Sequence, residues 1–177
     1  AKGRGQKVAP PPVKEAAERL GLPVWQPERP QPEEFVSALE QAGAEALVVV
    51  AFAHKIPPAV LAWPRYGCIN VHASLLPRWR GAAPIARAIL EGDRITGVTI
   101  MQMDEGWDTG PVLLQATEVI RPTDTAASLH DRLAEKGARL LVESLTRLEA
   151  GTLRPVSQPP SGARLAPRLS KEEGAVD

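Results

Sequence analysis

The unbroken apolar run Ala46-Leu47-Val48-Val49-Val50-Ala51-Phe52 constrains the fold more than any other stretch of this chain. It is rich in β-branched residues and predicts a strand buried on both faces, as in a parallel sheet with helices on either side. Residues 57–63 follow as a short helical turn opened by proline. Residues 68–72 form a second apolar strand that stops in a proline- and glycine-bounded loop. Strand, helix, strand in this order predicts a parallel pair joined by a right-handed crossover. Ligands of such sheets gather at the carboxyl ends of the strands, where Phe52 and His72 both fall.

The flanking segments extend this plan. Residues 13–20 and 32–41 predict short helices, the second with Glu33 and Glu34 in its first turn, where the helix dipole favours acids. Residues 84–91 predict a helix closed by Gly92. Residues 97–103 and 112–119 read as strands around the polar loop 104–111. Thr125 caps a long helix running to Ala150, with Leu129, Leu133, Ala134, Leu140, Leu141, Leu145 and Leu148 as its buried stripe. The expected architecture is α/β, a mostly parallel Rossmann-like sheet with helices on both faces. Residues 154–177 are proline-rich with few large apolar groups, and read as a linker. Residues 1–12 carry Lys2, Arg4 and Lys7 without an acid and end in prolines; they are a solvated tail or an arm for phosphates.

With 177 residues, one domain is expected, 13–153 being its body. Lys plus Arg and Asp plus Glu both number 21, so the chain is not built to coat nucleic acid wholesale, although a local basic patch is compatible. The single Cys68 excludes an internal disulfide and, with three histidines, argues against a structural zinc. No apolar run approaches the roughly 18 residues of a membrane span, and no signal peptide is visible. A cytoplasmic setting with no membrane partner is expected.

The chemistry concentrates where the second strand ends. Asn70, the chain's one asparagine, and His72 lie two residues apart, so their side chains share a face. Asp108 sits in a glycine-bracketed loop after a later strand, at the same end of the sheet if those strands run parallel. A carboxylate beside an imidazole fixes its tautomer and favours its charged form, leaving Asn70 and His72 as paired donors to a developing oxyanion. The alternative is a structural Asn–His pair with Asp108 as a turn residue. A Ser74-His72-Asp108 hydrolase lacks the G-x-S-x-G elbow, and Ser74 is expected to bond the turn's backbone instead. No dinucleotide or P-loop pattern occurs. Arg78-Trp79-Arg80 suits stacking and phosphate contact, or else a surface loop pinned by a buried indole. His54 could line the pocket mouth; His130 reads as incidental.

Residues 70–85, with the Asn-x-His strand and the Ser-Leu-Leu-Pro loop, and residues 96–110, with the Asp-x-Gly loop, resemble the folate-dependent formyltransferase family. The Arg-Trp-Arg-Gly-Ala-Ala-Pro-Ile segment and the Arg168-Leu169-Ser170-Lys171-Glu172-Glu173 tail are similar to the methionyl-tRNA branch of that family. The resemblance implies formyl transfer from 10-formyltetrahydrofolate to the amine of initiator methionyl-tRNA, without a metal, by a monomer. The alternatives are a family member acting on a small amine, glycinamide ribonucleotide or an amino sugar, and a fragment that binds folate or tRNA without turnover. The resemblance makes Asn70, His72 and Asp108 the catalytic set. It assigns folate to Phe52, Ala53, Ile56, Ser74, Leu75, Leu76, Pro77, Asp104, Glu105 and Gly106, and tRNA to Lys2, Arg4, Lys7, Arg78 and Arg80. Ala53-His54-Lys55 departs from the glycine and apolar residues usual there. Family members begin with a strand–helix–strand unit and end with a β-barrel domain. Neither is found in these residues, so a partial catalytic domain is expected, with 154–177 leading towards the barrel.

Overall fold

The structure, a computed structural model, describes residues 10–27, 32–52, 54–170 and 172–174. Its elements in chain order are α1 (Pro12–Arg19), α2 (Pro32–Gln41), β1 (Leu47–Val49), α3 (Pro58–Ala62), β2 (Cys68–His72), α4 (Pro84–Leu90), β3 (Ile95–Gln102), β4 (Val112–Val119) and α5 (Ala126–Glu149). The four strands form one sheet in the order β1-β2-β3-β4.

The βαβ unit is present, with β1 parallel to β2 and Val49 beside Asn70. The sheet beyond it is mixed. β3 runs antiparallel to β2, with Ile69 opposite Gln102 and His72 opposite Thr99, and β4 runs antiparallel to β3. The expectation of further parallel neighbours is therefore corrected: of the three pairings described, β1–β2 is the parallel one. The reason lies in residues 73–82, which fold back over the sheet instead of crossing it. Thr99 Oγ1 donates to Ser74 O at 2.6 Å and accepts from Leu76 N at 3.1 Å, so the loop is laced to β3. Leu75 lies against Gly97, where a Cβ would come within 2.6 Å of its Cδ2.

Alternation along β2 separates two layers. Ile69 and Val71 face α5, in a core with Val98, Ile100, Leu113, Leu129 and Leu133. Cys68, Asn70 and His72 face the other way, where α3 touches the sheet through Val60 O and Cys68 Sγ at 3.5 Å. Helices thus lie on both faces. Thr125 and Ser128 close a reciprocal capping box at the start of α5. The stripe on α5 needs one correction: Ala134 is exposed, whereas Gly137 and Ser144 are buried. A Cβ on Gly137 would stand 3.1 Å from Val71 Cγ1, so the small residue lets the helix approach the sheet closely.

Two other expectations change. β1 is shorter than the apolar run, which is not buried on both faces: Val48 in β1 and Val50 just past it are 38% and 59% exposed, β1 being the edge of the described sheet. Residues 154–170, expected as a linker, pack back on the domain. Val156 pairs with Val112 and Leu165 with Arg80, and Ala166 is fully buried. Arg87 holds the end of this segment through the carboxylate of Glu173 and the carbonyls of Pro167 and Arg168.

Candidate active site

The three polar residues singled out in the sequence come together on the face of β2 away from α5. Asn70 Nδ2 donates to Asp108 Oδ1 at 3.3 Å, and His72 Nδ1 stands 3.7 Å from Asp108 Oδ2. Gly81 N donates to the same Oδ2 at 2.8 Å. Asp108 does not arrive by the route expected. Because β3 is antiparallel to β2, the loop after it starts beside Ile69 and doubles back across the sheet face to Asn70. Gly110 permits this return: a Cβ there would lie 1.9 Å from Gln102 O.

His72 is buried, and its Nε2 is 2.8 Å from Trp79 O. A carbonyl can only accept, so Nε2 carries the proton and Nδ1 is the nitrogen left for chemistry. The separation of 3.7 Å is beyond hydrogen-bond range, a common condition of catalytic contacts before substrate closes them. Asn70 has one N–H on Asp108, and its second has no partner among the described residues.

Among the described residues, three non-glycine residues have positive φ: Ala51 at 51°, next in the chain to Phe52 of the cleft described below, Trp79 at 66°, whose carbonyl is on His72, and Asp108 at 54°. Left-handed backbone is costly for L-residues and gathers where geometry is fixed for function. Trp79 is held there by its surroundings. Its indole Nε1 donates to Asp93 Oδ2 at 2.8 Å, and Arg78 makes a two-point pair with the same carboxylate at 2.8 and 2.6 Å while lying over the indole at 4.4 Å. Arg78 holds the Asp93 carboxyl below its usual range, with Trp79 adding to the effect.

A cleft opens beside Asn70 and Asp108. Phe52, Ile56, Asp104, Glu105 and Gly106, expected at the folate site, line it together with Val49, His54, Lys55, Met103 and Trp107. Its rim is tied by Lys55 Nζ donating to Glu105 O at 3.1 Å. Asp104 Oδ1 accepts from Gly106 N and Thr109 Oγ1, shaping the loop from within. Phe52 and Trp107 are each more than half exposed along the cleft.

The other expected residues are placed elsewhere. Ser74, Leu75, Leu76 and Pro77 are not in the cleft lining; Ser74 is fully buried with its hydroxyl on Arg78 O at 2.6 Å, the turn bond anticipated for it. The guanidinium groups of Arg78 and Arg80 are both engaged internally, Arg78 on Asp93 and Arg80 on Gln158 Oε1. Ala53, Lys2, Arg4 and Lys7 lie outside the described residues. Sequence reading missed Asp93 and Gln158. Asp93 was legible in principle as an acid just past a helix-closing glycine; Gln158 lay in a segment read as linker. Among the described residues no three His, Cys, Asp or Glu side chains form a metal-binding group, and no helix is long and apolar enough to cross a membrane.

A sheet face presenting an amide, an imidazole and a carboxylate beside an aromatic-walled cleft can stabilise an oxyanion and move a proton. Several known proteins are similar to this chain. The chain is 54% identical to methionyl-tRNA formyltransferase of Synechococcus sp. strain JA-3-3Ab over 176 residues, which is 99% of this chain and 55% of that protein. It therefore spans about half the length of that relative. Among solved structures, HypX from Aquifex aeolicus in complex with tetrahydrofolic acid superposes with a TM-score of 0.73 and 26% identity, covering 83% of this chain and 25% of the other. Phosphoribosylglycinamide formyltransferase from Bacillus halodurans gives 0.69 and 30%, covering 77% and 74%. The profile described as formyl transferase matches residues 1–145, a stretch that contains Asn70, His72, Asp108 and the whole cleft, and on that match the chain belongs to the formyl transferase family.

Proposed function

We propose that this chain carries the reaction centre for transfer of a formyl group from 10-formyltetrahydrofolate to the α-amino group of initiator methionyl-tRNA. One observation carries the reading: Asn70, His72 and Asp108 converge beside a cleft in a chain 54% identical to a methionyl-tRNA formyltransferase. Folate as the donor is supported by the related fold that holds tetrahydrofolic acid, and by Phe52 and Trp107, whose exposed rings suit a flat heterocycle.

The chemistry follows from what each group can do. The amine nitrogen attacks the formyl carbon, and the carbonyl electrons move onto oxygen. The free N–H of Asn70 and a protonated Nδ1 of His72 are the donors for that oxyanion. Asp108, accepting from Asn70 and Gly81, orients the pair and passes the amine's proton, through water, to the departing folate nitrogen. Collapse of the intermediate gives the formamide and tetrahydrofolate. Lys2, Arg4 and Lys7 are the residues we assign to tRNA phosphates.

The test is His72→Ala and Asp108→Asn in the full-length protein. Each should reduce formyl transfer to methionyl-tRNA by on the order of 10²-fold or more with thermal stability retained. Turnover near wild type in either variant refutes the assignment.

A further inference from the structure

We infer that Gln158 is the positioning residue that sets Asp108 in its working geometry, although it lies in the segment beyond α5 and touches none of the three reacting side chains. The inference rests on the assignment of Asp108 made above.

The side-chain amide of Gln158 is fully used. Nε2 donates to Asp108 O at 2.9 Å and to Gly110 O at 2.8 Å, and Oε1 accepts from Arg80 Nε at 3.0 Å and Nη2 at 2.6 Å. Two donors and two acceptor positions are all that an amide offers. One residue therefore joins the loop that carries Asp108 to the loop that carries Trp79, whose carbonyl holds His72.

The backbone of the same segment reinforces this link. Arg80 N donates to Arg164 O at 2.8 Å, Ala166 N to Arg80 O at 2.7 Å, and Ala83 N to Ala166 O at 3.0 Å. Gly81 lies inside this lacing, where a Cβ would meet Ala166 O at 2.8 Å, and its own N–H is the one on Asp108 Oδ2. Asp108 adopts positive φ, a region that aspartate tolerates better than most L-residues but that still costs energy, so bonds to its own peptide help to hold it. The bond from Gln158 to the Asp108 carbonyl acts at that residue. Releasing it lets the peptide turn and swings the carboxylate away from Asn70, Gly81 and His72 together.

Gln158→Glu separates this role from simple attachment of the segment. The carboxylate is the same size and pairs with Arg80, so the strap stays attached, but it cannot donate to the two carbonyls. Formyl transfer from 10-formyltetrahydrofolate to methionyl-tRNA is measured in the full-length wild type, Gln158→Glu, Gln158→Ala and Asp108→Asn. Amide exchange at Gly81 is followed by NMR in the same proteins. Positioning predicts that kcat falls about 10- to 100-fold in both Gln158 variants, with KM for the folate within about threefold. It also predicts that the Gly81 amide loses protection.

Wild-type kcat in Gln158→Glu overturns the inference, as does unchanged Gly81 exchange. So does a loss confined to KM or to thermal stability, which marks a purely structural strap. Near-wild-type turnover by Asp108→Asn is a different failure: it removes the assignment of Asp108 itself, and the inference with it.

Discussion

Replacing Asp93 with alanine removes the group that fixes Trp79, and the structure sets the size of the effect. Asp93 accepts from Trp79 Nε1 at 2.8 Å and from Arg78 at 2.8 and 2.6 Å. Trp79 is only 4% exposed, so its indole N–H would be left buried without a partner, at a cost of about 1–3 kcal/mol. The Arg78 pair is worth less, because the arginine side chain is 37% exposed and water screens it; about 0.5–1 kcal/mol is appropriate. Together about 1.5–4 kcal/mol should be lost, which for a chain of this size lowers the melting temperature by roughly 3–16 °C. The loss should depend on pH with a definite sign. The Asp93 carboxyl is held below its usual range when folded, whereas in the unfolded chain it titrates near its ordinary value of about 3.9. The charge-dependent part of its stabilisation, chiefly the Arg78 pair, is thus present above about pH 4 and is lost as pH falls through the depressed folded value. The protonated carboxyl still accepts from Trp79 Nε1. Thermal unfolding of wild type and Asp93→Ala, followed by near-UV circular dichroism from pH 7 to pH 3, should show a constant gap that narrows at the acid end. Because Trp79 O accepts from His72, turnover at neutral pH should fall as well. A melting shift under about 1 °C at pH 7, or a gap that widens in acid, refutes the argument that Asp93 holds this loop.

Two further outcomes test the packing. Gly97→Ala should destabilise by about 2–3 kcal/mol in urea titration, because its Cβ would stand 2.1 Å from Ala116 O on the paired strand and 2.6 Å from Leu75 Cδ2; a change within about 0.5 kcal/mol contradicts the register of β3 and β4. Cys68 is 2% exposed and burial pushes its thiol up to about 11, so it should ignore a thiol-specific disulfide reagent at pH 8 until denaturant is added.

What the sequence made legible was local. Asn70 and His72 share a face because strand side chains alternate, and no tertiary information is needed to know it. The same holds for the Thr125 cap and for most of the stripe on α5. The direction of β3 is another matter. A strand's period is the same read either way, and the stretch between β2 and β3 is long enough for a crossover, so parallel pairing was the natural expectation. It failed because residues 73–82 bond to Thr99 and cover the sheet, which only a side chain on the neighbouring strand can dictate. Arg78 was ambiguous for a similar reason: the sequence shows a guanidinium beside an indole but not the Asp93 carboxylate that claims both.

Asp108 reaches Asn70 and His72 by a route other than the one expected. A parallel β3 would have delivered it to the carboxyl end of the sheet; the antiparallel β3 delivers it to the opposite end and relies on the loop to bring it back. That return demands what a direct approach would not: a glycine at position 110 against Gln102 O, a left-handed aspartate, and a donor from outside the loop to hold it there. Gln158 supplies that donor, 50 positions away in sequence. Patterns of spacing reveal which groups can meet on a face, but a loop doubled back against its own strand is stable only through distant contacts. The segment beyond α5 is therefore as much a part of the candidate site as the strand that carries Asn70 and His72.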